Sequence, residues 1–124
     1  MEVTPVVTAG RQLIQAYREG GFTVAGVRHE GSLLVMPERT LSWQVDALSA
    51  ITVDSMAPII QADPAVEILI LGCGPSFALA PPQLRDALRA HGVVVEAMAT
   101  PAACRTYNVL LAEDRRAAAA LIAV

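Results

Sequence analysis

The sequence predicts an α/β domain built on a mixed β-sheet, and three observations carry that reading. From Val66 onward, apolar runs alternate with helical stripes: Val66–Leu71, a helix opened by Pro81-Pro82, Val93–Val95, then a helix from Thr100-Pro101. That order is the pattern of parallel strands joined by helical crossovers. Before it, Leu13 to Val45 holds short alternating segments separated by glycine and proline, the pattern of an antiparallel meander. At 124 residues the chain has the size of one hydrophobic core, so residues 1–124 are expected to form a single domain.

Element by element, Leu13 to Glu30 alternates loosely around Gly20-Gly21, with Phe22 and Val24 on one parity, and predicts two short strands joined near Gly20. The cluster His29-Glu30-Gly31-Ser32 reads as a turn into Leu33–Met36, a short apolar second strand of a hairpin that stops at Pro37. Thr40 to Val45 alternates again, with Leu41, Trp43 and Val45 on one face of a half-buried strand. Asp54 has the chemistry of a helix cap, and Met56, Ile59 and Ile60 share a stripe that ends before Pro64.

The run Val66 to Leu71 is aliphatic except for Glu67, as in a strand covered on both faces. After the loop Gly72-Cys73-Gly74-Pro75, the second helix turns Leu84, Ala87 and Leu88 inward and ends at Gly92. Thr100-Pro101 reads as a capping hydroxyl followed by proline in the first turn, and Ala103, Tyr107, Leu110 and Leu111 form the stripe of the third helix. Arg116 to Val124 is open between helix, which Ala117 to Ala120 favour by propensity, and a strand, which would need tertiary support.

Composition excludes several functions. Hydrophobic residues make up 54% of the chain, above the roughly 45–50% of ordinary proteins. The surplus is alanine and aliphatics. The formal net charge is −3 and the longest basic block is Arg115-Arg116, which argues against nucleic acid, a ligand that rewards clustered cations. Every basic residue is arginine, a choice better suited to planar bidentate contacts than to diffuse charge. The longest uncharged run, Ile68 to Leu84, is broken by two glycines and three prolines, so no membrane insertion is expected. Met1 to Thr8 lacks the basic-then-apolar order of a signal peptide, and the expected location is the cytoplasm.

The candidate chemistry is thin. Gly72 and Gly74 follow a buried strand as in a dinucleotide-binding turn, but Phe77 stands where a third glycine belongs and Pro75 removes an amide. A tight turn explains the pair better. Cys104 lies near a helix N-terminus beside Arg105, conditions that activate a thiol, yet neither His29 nor His91 is positioned by sequence to serve as its base. Cys73 and Cys104 are outside any Cys-x-x-Cys spacing and read as free thiols. His29-Glu30 and Glu113-Asp114 do not have metal-ligand spacing. No catalytic residue, metal or cofactor is therefore assigned. Arg105, Thr106 and Asn108 remain as donors and acceptors for a ligand or partner; the structural alternative is that Asn108 satisfies the backbone of the Gly72 to Ser76 loop.

Taken together, Leu71-Gly72-x-Gly74, Gly92-x-x-Val95-Glu96-x-Met98-x-Thr100, the run Ala103-Cys104-Arg105-Thr106-Tyr107-Asn108, and Glu113-x-Arg115 resemble a widespread domain-of-unknown-function family. Its members include the mitochondrial respiratory complex I assembly factor three and an adipogenesis-associated protein. Gly21-Phe22, Gly31-Ser32, and Pro37 with Trp43 extend the resemblance over nearly the whole chain. The resemblance implies a three-layer α/β domain with a projecting β-hairpin, two to three packed helices and a final strand within Arg116 to Val124. It carries no catalytic residues. It implies a non-enzymatic protein-interaction module, with respiratory NADH dehydrogenase subunits as the partners expected. The alternative is a small-molecule binder or enzyme using the Gly72 to Ser76 loop and the Arg105 to Asn108 cluster. The candidate ligand or partner surface is then Gly72, Gly74, Arg105, Thr106, Asn108 and Arg115, and a homo-oligomer joined through an exposed Leu33 to Met36 edge is compatible with either.

Overall fold

The computed structural model describes residues 11–124, so the signal-peptide reading of Met1 to Thr8 lies outside the described residues. Two sheets are formed. A three-stranded antiparallel sheet runs in the order β1 (Ile14–Arg18), β2 (Gly21–Val24), β3 (Val27–Glu30). The segment from Leu13 to Glu30 thus holds three strands where the sequence pattern gave two. The cause is a pair of two-residue turns. Glu19-Gly20 and Ala25-Gly26 all have positive φ, the conformation that matches the twist of a tight hairpin. The second turn is masked in sequence because Ala25 occupies a position that disfavours a side chain.

The larger sheet has the order β5-β4-β8-β6-β7, from β4 (Leu33–Met36), β5 (Arg39–Ser42), β6 (Ile68–Gly72), β7 (Val94–Met98) and β8 (Ala117–Leu121). β6 runs parallel to both β7 and β8, while β4 is antiparallel to β5 and β8. The hairpin partner of β4 is therefore β5, not the strand before it. All of Leu33–Met36 is buried between β5 and β8, so it offers no free edge for self-association. Pairing of β5 stops at Ser42, although Trp43 and Val45 keep the predicted alternation and are buried.

The ambiguous C-terminal segment is a strand, and a central one. Ala117 to Ala120 are fully buried because β8 is hydrogen-bonded on both edges and covered on both faces. Tertiary pairing overrides helix propensity here.

Among the described residues three helices complete the layers: α1 (Ala57–Ile60), α2 (Pro82–Ala90) and α3 (Thr100–Ala112). Asp54 does not cap α1; it opens a 3-10 turn, and Thr52 and Ser55 bond each other's backbone instead. On one face of the large sheet, Met56, Ile59, Leu84 and Leu88 pack on Leu69, Leu71, Val95, Ala118 and Ala120. On the other, α3 (Ala103, Cys104, Tyr107, Leu111) and the small sheet (Ile14, Phe22, Val24) pack on Leu33, Val35, Ile70, Ala119 and Leu121. The result is a three-layer α/β arrangement whose small sheet and α3 share one layer.

Candidate functional site

In open α/β sheets a ligand usually sits beyond the carboxyl ends of the parallel strands, where neighbouring crossovers leave for opposite faces. Here that point lies between β6, whose crossover α2 packs on one face, and β7, whose crossover α3 packs on the other. Thr100 fills it. Its fully buried Oγ1 donates to the Ile122 carbonyl at 2.7 Å and accepts from the Gly74 amide at 2.9 Å. The Thr100 amide in turn donates to the Gly74 carbonyl at 2.8 Å. Thr100 does not cap its own helix; the hydroxyl ties together the ends of β6, β8 and α3.

The glycines serve this junction. A Cβ on Gly72 would lie 2.9 Å from Thr100 Oγ1 and 3.1 Å from Thr100 Cα, closer than side chains pack. Gly74 adopts φ +101°, which lets the chain turn back to Thr100. The Cys73 amide donates to the Met98 carbonyl. The amides of Cys73 and Gly74 are thus already committed to protein acceptors.

The polar residues of α3 are held apart from that loop and from one another. Asn108 accepts from the Ile14 amide at 2.9 Å and donates to the Ile14 carbonyl at 2.7 Å, a two-bond clamp on β1. The amide is structural, but its backbone partner is the small sheet and not the glycine loop. Arg105 is exposed, Thr106 is half-buried, and Arg115 is exposed beyond the end of α3. Helix α3 is roughly 20 Å long at 1.5 Å per residue, so the glycines at its start and Arg115 past its end mark opposite ends of the layer.

Neither thiol is activated. Burial pushes the Cys104 thiol up to about 12, only partly offset by the Arg105 charge. Burial also raises Cys73, whose Sγ lies 3.4 Å from the Ala78 carbonyl. His29 lies on β3 and His91 follows α2. Among the described residues no group of three or more His, Cys, Asp or Glu could hold a metal ion, and no helix is long and apolar enough to cross a membrane.

Sequence reasoning missed two features. Tyr107 is fully buried, yet its hydroxyl has no hydrogen-bond partner among the described residues, and burial drives its pKa upward. The other is a set of exposed apolar side chains: Phe77 (62%) and Leu79 (74%) in the loop before α2, Val94 (49%) on β7 and Val109 (50%) on α3. The only sequence signal for the loop is that Phe77 and Leu79 sit among prolines and small residues outside any periodic stripe. Surface clefts among the described residues include one of about 400 Å³ lined by Glu30, Ser32, Trp43, Asp46 and neighbours, and one of about 360 Å³ lined by Glu38, Arg39, Asp63, Arg116 and neighbours. Neither contains any of the six candidate residues.

Fold and site together define a small three-layer α/β domain whose strand ends are tied together by the Thr100 side chain. A crystal structure of an outer membrane protein from Bartonella henselae has this fold, with a TM-score of 0.85 and 35% identity, covering 94% of this chain and 98% of that one. The chain belongs to the family described as protein of unknown function (DUF498/DUF598), whose model matches residues 14–122. It is 38% identical over 114 residues to an uncharacterised protein of Rhodobacter capsulatus, covering 92% of this chain and 86% of that one. It is 36% identical over 109 residues to the mouse NADH dehydrogenase [ubiquinone] 1 alpha subcomplex assembly factor 3, covering 88% of this chain. The match spans 59% of the mouse protein's length.

Proposed function

We propose that this domain is a non-catalytic protein-interaction module that assists assembly of a respiratory NADH dehydrogenase. The observation that carries the reading is the 36% identity to the mouse assembly factor 3 across 88% of this chain. The geometry supports it from a second direction. The polar groups that would serve a small ligand are spent on the fold: the Gly74 amide on Thr100, and Asn108 on Ile14. Cys104, the best-placed nucleophile by sequence, is buried with its thiol pushed up to about 12, where thiolate is scarce at neutral pH. The exposed surface includes large apolar side chains at Phe77, Leu79, Val94 and Val109, the material of protein contacts. Respiratory subunits are the partners this reading names.

The test is deletion of the coding sequence in its host, followed by native-gel separation of solubilised membranes with NADH dehydrogenase activity staining. The expected result is loss or shortening of the mature complex and accumulation of a subassembly, restored by the intact chain. Normal amounts of mature complex in the deletion strain would refute the reading.

A further inference from the structure

Parallel strands are ordinarily covered on both faces, and β7 is covered on one. Its Val95 faces α2 and is buried, whereas Val94, on the α3 side, is half exposed and Glu96 on the same face is open to solvent. Met98, the third residue on that face, is only partly buried against the α3-side core. The reason is geometric. Strands lie about 4.8 Å apart and packed helices about 8–10 Å apart, so one helix covers roughly two strands. Helix α3 lies over β6 and β8 and barely reaches β7, the edge strand.

The flank of α3 that borders this bare face is defined by Asn108, which clamps β1 on the opposite side. Helical spacing puts Thr106, Leu110 and Glu113 together on the flank away from Asn108. Leu110 packs partly into the core, and Glu113 is exposed. Arg105 and Val109, each two residues from buried Tyr107, rise on the outer crest. An incompletely covered strip, termed the trough, therefore runs between α3 and the edge of the sheet. Its floor is Ile68, Val94 and Met98, its wall Thr106 and Leu110, and its charged groups Glu96 and Glu113.

We propose that this trough is the docking site for one amphipathic helix of a partner protein, lying beside α3 over β7, with an apolar stripe flanked by Lys or Arg. The proposal rests on the assembly reading above and adds the partner's chemistry to it. A helix is the occupant that fits, because a second helix set about 8–10 Å from α3 would lie over β7, which α3 barely reaches. The charged side chains on the exposed face of β7 and the facing flank of α3 are Glu96 and Glu113. Arg85 lies on the outer edge of β7 and Arg115 past the end of α3, so between those ends the complementary flank is basic. The open edge of β7 is a poorer dock for an added strand, since the Arg85 guanidinium donates to the outward Val95 carbonyl at 3.3 Å.

The test places a photo-crosslinking amino acid at Val94, at Thr106 and, for comparison, at Phe77, in the full chain expressed in its host. Cross-linked segments are identified by mass spectrometry, and the segment captured from Val94 is then synthesised as a peptide. The expected result is that Val94 and Thr106 capture the same segment of one other protein, helical by circular dichroism when bound and basic beside its apolar stripe. Val94→Asp should weaken that peptide at least tenfold and Glu96→Lys severalfold, the latter with a reduced salt dependence. Thermal melts confirm that each variant is folded; Val94→Ser replaces Val94→Asp if that chain is not. Capture of a second copy of this chain, of lipid, or of an extended segment would overturn the proposal. So would capture from Phe77 alone, or peptide binding indifferent to the Val94 and Glu96 substitutions. If the trough fails while deletion still impairs assembly, only this inference falls; if the trough binds its helix and deletion is silent, the assembly reading falls instead.

Discussion

Replacing Thr100 by valine removes one oxygen and keeps the shape. Among the described residues that oxygen is the partner of two main-chain groups, the Gly74 amide at 2.9 Å and the Ile122 carbonyl at 2.7 Å. Thr100 has no exposed surface and Gly74 and Ile122 are buried around it, so valine would leave both groups buried and unpaired. A buried main-chain group stripped of its partner costs about 1–3 kcal/mol, and the pair therefore about 2–6 kcal/mol. That is a large part of a total stability of about 5–15 kcal/mol. With a urea m-value of about 1.5 kcal/mol/M, a loss of about 3 kcal/mol lowers the unfolding midpoint by on the order of 2 M. Urea unfolding followed by circular dichroism, with m unchanged, measures it. Thr100→Ser is the internal control: it keeps the hydroxyl and gives up one methyl group, about 1 kcal/mol. A valine variant as stable as the serine variant would refute the assignment of Thr100 as the bolt between β6, β8 and α3.

Three further outcomes follow from the same structure. Tyr107→Phe removes a buried hydroxyl that has no partner among the described residues, so it should stabilise the chain by about 1 kcal/mol; destabilisation in the same urea assay would reveal an ordered water or other partner on that oxygen. Asn108→Ala breaks both bonds to Ile14 and should cost about 1–3 kcal/mol, with faster amide exchange at Ile14 and across β1–β3 than in β6 or β8. The third concerns pH. Cys104 is raised in the folded state from its ordinary value near 9 to about 12, so the unfolded chain loses its thiol proton first as pH rises. The stability tied to this thiol is whole below about pH 9 and falls by about 1.4 kcal/mol per unit above it, until the folded thiol titrates. The difference in stability between the native chain and Cys104→Ala should therefore shift in favour of the alanine chain from pH 9 to 11; a difference independent of pH would contradict the burial of the thiol.

What was legible in the sequence was whatever periodicity encodes. The stripe Ala103, Tyr107, Leu111 and the aliphatic run ending at Gly72 placed α3 and β6 with nearly correct ends. Turns were harder, because Ala25 holds a positive φ without being glycine, and a turn signal without its residue hides a strand. Strand partners were harder still: nothing local tells Leu33–Met36 to pair with Ala119–Leu121, about 85 residues on. Polar roles followed the same rule. That Asn108 is structural could be argued from its poor helix propensity, but its partner Ile14 is set by the packing of a second sheet. Thr100 looked like a cap because caps are local, and its actual bonds reach across 26 and 22 residues.

The position of β8 has a consequence for synthesis on the ribosome. It is the last strand made among those described, yet it is the seam that joins β4–β5 to β6–β7. Until it emerges, the meander and the crossover half are two incomplete sheets, each holding an unpaired apolar edge: β4 on one and β6 on the other. Such edges are sites of mispairing in nascent chains. The large sheet therefore cannot assemble progressively from its N-terminal end, and its closure waits for Ala117–Leu121, so premature termination before residue 117 yields two orphaned halves and not a smaller version of the domain.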